Sequence, residues 1–387
     1  MNKPRIIILG AGVAGLRIAE KLNNKLKPGE ADLLLIDEND YHQLLYNLPK
    51  VFSYVFDDKE VKIPLVQLID KISFKQVTVE TTNPEENTVE TSQGKIEYDI
   101  LVSALGSHPA YFGLEGVREN SVTLSNYTGA MKVRESILQL YGEASDTDEV
   151  PMVVIGGAGF TGVEVAGALC EFIEDICMNL SLEVPDIKLH LVEASPSILP
   201  GWDEGLALEG ARYLERKGVK LYLGEPVVEA SEGRLKLRSG IILEPDLFIW
   251  TAGVEADPAC SLLFEKRSRR IVVNEYLQQP EFDNVFILGD QACTVDFSDN
   301  PVPPNAHVAM GQADTVVNNI QAMLRGKPLR AFKFGRVGEV VTFGEEYALG
   351  TFFGVTFRGF VAKLMKRLIH LWYVYSIGGL QLVLEYL

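Results

Sequence analysis

The chain has 387 residues, 47% of them apolar and 23% charged, a balance that suits a folded protein with more than one buried core and excludes a disordered one. Its formal net charge of −17 argues against a nucleic-acid partner, because no basic surface of the needed size is left over. The charge is uneven: residues 326–387 carry eight Lys or Arg against four Glu, so this tail is +4 and the remainder −21, which suits contact of the tail with something anionic.

A first apolar strand, Ile6 to Leu9, starts within five residues of the N-terminus, which leaves no room for a signal peptide and predicts a chain that stays in the cytoplasm. It runs into Gly10-Ala11-Gly12-Val13-Ala14-Gly15, a dinucleotide-binding fingerprint. The glycines permit a tight turn and close backbone approach, and the start of the following helix attracts a pyrophosphate. Asp37, after Leu33 to Ile36, is the acidic residue that would accept hydrogen bonds from a ribose diol. Residues 139–149 read as a polar, acidic linker. Beyond it the pattern returns: a strand from Met152 to Ile155, then Gly157-Ala158-Gly159-Phe160-Thr161-Gly162, then Glu193 after Leu189 to Val192. No Lys or Arg accompanies Glu193 in Ala194-Ser195-Pro196-Ser197, and its carboxylate would repel a 2′-phosphate, so the second site favours NADH over NADPH. Two dinucleotides on one chain suggest a fixed flavin and a nicotinamide that visits to deliver hydride.

The four cysteines, Cys170, Cys177, Cys260 and Cys293, form no Cys-x-x-Cys pair, which suits a reducing compartment and no metal site. None precedes Cys170, so the redox-active pair of a flavin disulfide reductase is absent. Cys170 and Cys177 lie two helical turns apart and read as packing residues, while Cys293 is the one thiol close to a candidate site.

Three strands end in similar fashion. Asn284 to Asp290 closes on Gly289-Asp290 and resembles the segment where two-dinucleotide flavoproteins hold the ribityl chain with the carboxylate. Leu101 to Gly106 and Phe248 to Gly253 resemble the segments where such proteins cross between their nucleotide domains. With Asn39-Asp40-Tyr41-His42, the run Gly156 to Glu164 and the ending Tyr373 to Leu380, these motifs make nearly the whole chain resemble the type II NADH dehydrogenases, within the pyridine nucleotide-disulfide oxidoreductase-like flavoproteins. The resemblance implies an α/β fold of two Rossmann-like dinucleotide-binding domains, the FAD domain (1–110 and 258–325) interrupted by the NAD(H) domain (111–257), followed by a C-terminal membrane-associating region (326–387). It implies FAD and NADH as cofactors and a quinone as partner, with hydride passing from NADH to the flavin and two electrons then passing to the quinone without proton pumping.

The resemblance puts Glu164 near the nicotinamide and flavin, as an orienting or proton-relaying group; as a first-turn carboxylate it also complements the helix dipole, worth ~0.3–1 kcal/mol. His42 falls in the flavin-side loop. The family's Ala-Gln-x-Ala-x-Gln quinone run reads here Ala306-His307-Val308-Ala309-Met310-Gly311-Gln312. His307 would donate to a quinone carbonyl in place of the first glutamine, and Gly311 would leave room for a bulkier head group. In the tail, Phe360, Leu364, Leu368, Leu371 and Tyr375 repeat at helical spacing, with Lys363, Lys366, Arg367 and His370 on another face and Trp372 and Tyr373 as rings suited to a headgroup boundary. Charges interrupt any span of ~20 apolar residues, so the expectation is an amphipathic helix lying on the cytoplasmic leaflet, which makes the enzyme peripheral to the cell membrane. A helix packed on the body or on a second subunit of a homodimer is the alternative. Two other functions remain open: a flavoprotein reductase or oxidase with a soluble acceptor, and a redox-sensing NADH-binding flavoprotein.

Overall fold

A computed structural model describes the chain except residues 1–2, 70, 145–149, 181–187, 262–263, 297–298, 336 and 387. Its two large sheets arise from two runs of apolar strands. One sheet has the order Gln278–Gln279, Phe282–Ile287, Ile100–Ser103, Arg5–Leu9, Asp32–Asp37, Ser73–Gln76. Its five longer strands run parallel, with Ile7 between Leu34 and Leu101 and Val285 beside Leu101. Ile6 to Leu9 are wholly buried, as continuous apolar runs are when helices cover both faces of a parallel sheet.

The other sheet is parallel throughout, in the order Val122–Thr123, Leu247–Trp250, Met152–Gly156, Lys188–Glu193, Lys220–Leu223. It is built entirely from residues that lie, in the chain, between strands of the first sheet. The chain passes between the two at a short antiparallel ribbon, in which Ser107–Pro109 pairs with Val254–Ala256. Gly106 and Gly253 open its two strands with φ of +76° and +73°, a left-handed turn that a residue with a Cβ adopts only under strain.

The acidic stretch 139–149 is not a linker over its first part. The helix Tyr127–Ala144 runs through it because Ala130, Val133, Ile137 and Tyr141 fall on one buried face, which outweighs the polar residues between them; residues 145–149 lie outside the described residues.

The tail begins as a three-stranded antiparallel sheet, Gly338–Phe343, Tyr347–Phe352 and Val355–Arg358, and continues as a long helix, Gly359–Glu385, kinked at Gly379. Phe343 is buried in the core of the second sheet's unit, against Gly167 and Gly210. Tyr373, Val374, Ile377 and Leu382 are buried in the core of the first. The tail therefore straddles both units.

Candidate functional site

The two fingerprints build the same turn. Gly10 takes φ of +91° and donates its amide to the Ile36 carbonyl at 2.8 Å; Gly157 takes φ of +100° and donates to the Val192 carbonyl at 2.8 Å. A Cβ on Gly15 would lie 1.8 Å from the Gly10 carbonyl oxygen, and one on Gly162 would lie 1.9 Å from that of Gly157, so the third glycine of each motif lets the helix press against the turn. A Cβ on Gly12 or Gly159 would meet nothing within 4 Å. These middle glycines begin the helices Val13–Lys25 and Phe160–Leu180, whose first three amides have no acceptor among the described residues, and they face open space of the kind a pyrophosphate fills. The residues present fit two dinucleotides.

Asp37 and Glu193 each brace the turn before they meet any ligand. Asp37 accepts from the Ala11 amide at 2.6 Å and the Asn39 amide at 2.8 Å; Glu193 accepts from the Ala158 amide at 2.7 Å and the Ser195 amide at 2.8 Å. Each carboxylate oxygen accepts one main-chain amide and Asp37 Oδ1 also accepts from the Asn39 side chain at 3.3 Å, which leaves acceptor capacity on both carboxylates for a ribose diol.

At the far end of the first sheet, Gly289 has φ of +75° and donates its amide to Gln312 Oε1 at 2.7 Å; Gln312 also donates to Thr294 Oγ1 at 3.2 Å. Gln312, one place beyond the family position, is buried and holds this turn. No described group donates to the Asp290 carboxylate. Burial raises its pKa, while the buried Arg270 opposes that. A half-buried acceptor without a donor suits a polyol hydroxyl.

His307 is exposed in the first turn of the helix Ala306–Leu324, which Asn305 caps by accepting from the Val308 amide at 2.9 Å. Gly311 is exposed, and a Cβ there would make ordinary contact with the Phe332 ring at 3.5 Å. The phenyl group comes from the segment after this helix, whose return path the sequence pattern did not carry.

The tail helix presents two faces. Phe360, Leu364, Leu368 and Tyr375 are exposed, as the stripe predicted, while its fifth member Leu371 is half-buried and Trp372 is exposed in its place. The opposite face differs from expectation, because Lys366, His370 and Tyr373 turn inward rather than toward a headgroup layer. Lys366 donates to Glu164 Oε1 and, at 2.9 Å, to Thr342 Oγ1; both charged side chains are 14% exposed. Glu164 also accepts from the Thr342 amide at 3.0 Å and hydroxyl at 3.1 Å. His370 stacks on Tyr46 with ring centroids 4.0 Å apart. Tyr373 is buried and hydrogen-bonded at 2.8 Å to His42 Nε2, whose other nitrogen, Nδ1, donates to the Ala11 carbonyl at 2.8 Å. Lys366, Tyr373, Thr342 and Gln312 were not marked as site residues by sequence. Positions 366, 370, 373 and 377 do repeat at helical spacing and carry the signal for a second packed face.

Burial lowers the pKa of His42 to about 4, against the opposing effect of its bond to Ala11, and that of His370 to about 3. Both lie below the ordinary 6.5, so as pH falls from 6.5 toward 4 the unfolded chain takes up protons that the folded chain refuses, and stability falls. The slope is about 1.4 kcal/mol per pH unit for each group. His42→Gln, which keeps a donor and an acceptor, should flatten the acid limb of a melting-temperature profile over that window. An unchanged limb would mean that the imidazole titrates normally.

All four cysteines are buried and unpaired; burial pushes the Cys170 thiol up to about 12 and the Cys260 thiol up to about 11. Cys170 and Cys177 pack within one core, as their spacing predicted. Cys293 is buried in a short strand beside Val272. Among the described residues no cluster of His, Cys, Asp or Glu could hold a metal ion.

Comparison with known proteins agrees with this geometry. Residues 4–313 match the family model for pyridine nucleotide-disulphide oxidoreductases. The chain is 30% identical over 401 residues to a type II NADH:quinone oxidoreductase of Staphylococcus aureus (strain NCTC 8325 / PS 47), covering 99% of this chain and 98% of the relative. It is also 30% identical over 395 residues to the protein of that name from Staphylococcus saprophyticus, with the same coverage. Among solved structures, NDH2 from Plasmodium falciparum in complex with NADH has a TM-score of 0.87 at 15% identity, covering 99% of this chain and 97% of that one. The sulfide:quinone oxidoreductase of Aquifex aeolicus has a TM-score of 0.78 at 19% identity, covering 97% and 91%. The chain belongs to the pyridine nucleotide-disulphide oxidoreductase family and, within it, to the type II NADH:quinone oxidoreductases.

Proposed function

We propose that this protein is an FAD-dependent NADH:quinone oxidoreductase that works without pumping protons. The observation that carries the reading is the pair of open glycine cradles on a chain aligned end to end with the type II enzymes. Bound FAD would supply the redox centre that accepts hydride from NADH and passes two electrons to a quinone, which takes up two protons.

The first fingerprint belongs to FAD: Gly12 and the helix start behind it receive the pyrophosphate, Asp37 the adenosine ribose, and Asp290 the ribityl chain. The second belongs to NADH, with Gly159 and Glu193 in the matching roles. Gly10, Gly15, Gly157 and Gly162 shape the two turns, and Gly106, Gly253 and Gly289 let the strand ends reach the cofactors. Residues 1–110 and 258–325 form the FAD domain and 111–257 the NAD(H) domain. Glu164, held by Lys366 and Thr342 just past the first turn of the second fingerprint helix, orients the reacting end of the nicotinamide or relays a proton beside it.

His307, exposed at its helix start, donates to a quinone carbonyl. With the FAD-loaded protein and a water-soluble quinone, His307→Ala should lower kcat/KM for quinone about tenfold, the loss of one hydrogen bond in the transition state, while flavin reduction by NADH keeps its rate. Equal quinone turnover in both proteins would remove His307 from the acceptor site.

Residues 326–387 meet the cytoplasmic face of the cell membrane through the exposed stripe Phe360, Leu364, Leu368, Trp372 and Tyr375, with Arg367 exposed beside it. Among the described residues no helix is long and apolar enough to cross a membrane. Stimulation of quinone turnover by anionic liposomes supports this docking, and indifference to them favours a soluble acceptor.

A further inference from the structure

The two fingerprints differ in the group that takes up one carbonyl. In both, the carbonyl of the second residue is taken up by a donor. For Ala158 the donor is the main-chain amide of Leu199, at 2.7 Å. For Ala11 it is the imidazole of His42, at 2.8 Å, with the ring fully buried. A carbonyl only accepts, so Nδ1 carries the proton and Nε2 accepts from the Tyr373 hydroxyl. Both donors follow the acidic strand of their unit, but one is a main-chain amide and the other is a side chain that relays to a helix 331 residues further along the chain.

We propose that His42 and Tyr373 are positioning residues for the flavin, through which the tail helix sets the peptide that cradles the pyrophosphate; this rests on the assignment of FAD to the first fingerprint. Ala11 and Gly12 share a planar trans peptide, so a carbonyl held toward His42 turns the Gly12 amide the opposite way, and no acceptor among the described residues takes that amide. Asp37 fixes the preceding peptide through the Ala11 amide at 2.6 Å. With both neighbouring peptides held, the turn needs no reorganisation to receive an anion. Because the second turn lacks the relay, disturbing the pair changes flavin affinity and leaves the nicotinamide site alone.

The test measures FAD affinity by fluorescence on reconstitution of the flavin-free protein, and ADP-ribose affinity by calorimetry on the FAD-loaded protein. Tyr373→Phe removes one oxygen and leaves His42 Nε2 without its donor, so FAD binding should weaken about tenfold; His42→Phe, which also strands the Ala11 carbonyl, should weaken it about a hundredfold. His42→Gln, able to donate and accept, should return affinity to within about threefold of the parent, and ADP-ribose binding should hold within about twofold in all three. Unchanged FAD affinity in Tyr373→Phe and His42→Phe, or equal weakening of FAD and ADP-ribose, would overturn the proposal. Gly12→Val separates the two levels. If it retains FAD, the first fingerprint is not the flavin site and the assignment itself fails; if it loses FAD while the other variants keep it, only the relay fails.

Discussion

Deletion of residues 359–387 should leave a protein that binds no flavin and shows no sharp thermal transition. The tail helix buries Tyr373, Val374, Ile377 and Leu382 in the core beneath the first sheet. Each such side chain is worth roughly 1.5–3 kcal/mol, and their sum is comparable with the whole stability of an ordinary domain, about 5–15 kcal/mol. The deletion also strips Lys366 from Glu164, both 14% exposed, and loss of one partner of such a pair costs up to about 3–5 kcal/mol when the remaining charge is left buried. Thermal melting and the flavin content of the purified truncated chain measure the effect. A yellow protein that melts within a few degrees of the parent would make the helix a detachable anchor. This outcome also bears on the acceptor: removing the tail does not distinguish a membrane quinone from a soluble acceptor, because it dismantles the body at the same time.

The second large effect is expected at Gly159. A Cβ there meets nothing within 4 Å and the residue does not adopt a left-handed conformation, so Gly159→Val should fold like the parent. Its side chain would occupy the space in front of the unpaired amides of the second fingerprint helix and displace the pyrophosphate from two or more charge-assisted hydrogen bonds. NADH affinity should fall by about a hundredfold or more while flavin content stays at the parent level. Gly162→Val supplies the contrast, because its Cβ would lie 1.9 Å from the Gly157 carbonyl oxygen and the turn itself must open. If Gly159→Val bound NADH normally, the second fingerprint would not be the nicotinamide site. Two glycines three positions apart thus separate a ligand's space from the packing of a helix.

Much of the site was legible because the motif is local. A glycine pattern between an apolar strand and a helix specifies backbone conformation over six residues, and the carboxylates of Asp37 and Glu193 follow one strand later by direct chain connection. Both turns form with matching bonds to the carbonyls of Ile36 and Val192. The outward stripe of the tail was legible for a similar reason, since helical period alone decides which residues share a face.

The inward face was misread because charge and aromaticity do not say what lies opposite. Lys366, His370 and Tyr373 look like headgroup-seeking residues until the packing sets Glu164, Tyr46 and His42 against them, and an ion pair or a ring stack then outweighs hydration. Over residues 139–144 the linker reading failed in the same way, because Ile137 and Tyr141 are buried on one face of a helix, which composition could not supply. That Phe332 borders Gly311 on one side was equally illegible, because it comes from a segment whose path only the fold determines.

The sequence by itself determined two dinucleotide turns, their acidic partners, the parallel strands that carry them and the absence of a reactive cysteine pair, all properties of short stretches whose backbone preferences are local. Only the tertiary structure decided that the tail belongs to both units. Its helix reaches the second fingerprint through Lys366 and the first through Tyr373, because the interleaved chain folds its last segment across the junction, where buried polar groups from distant residues must find one another as partners.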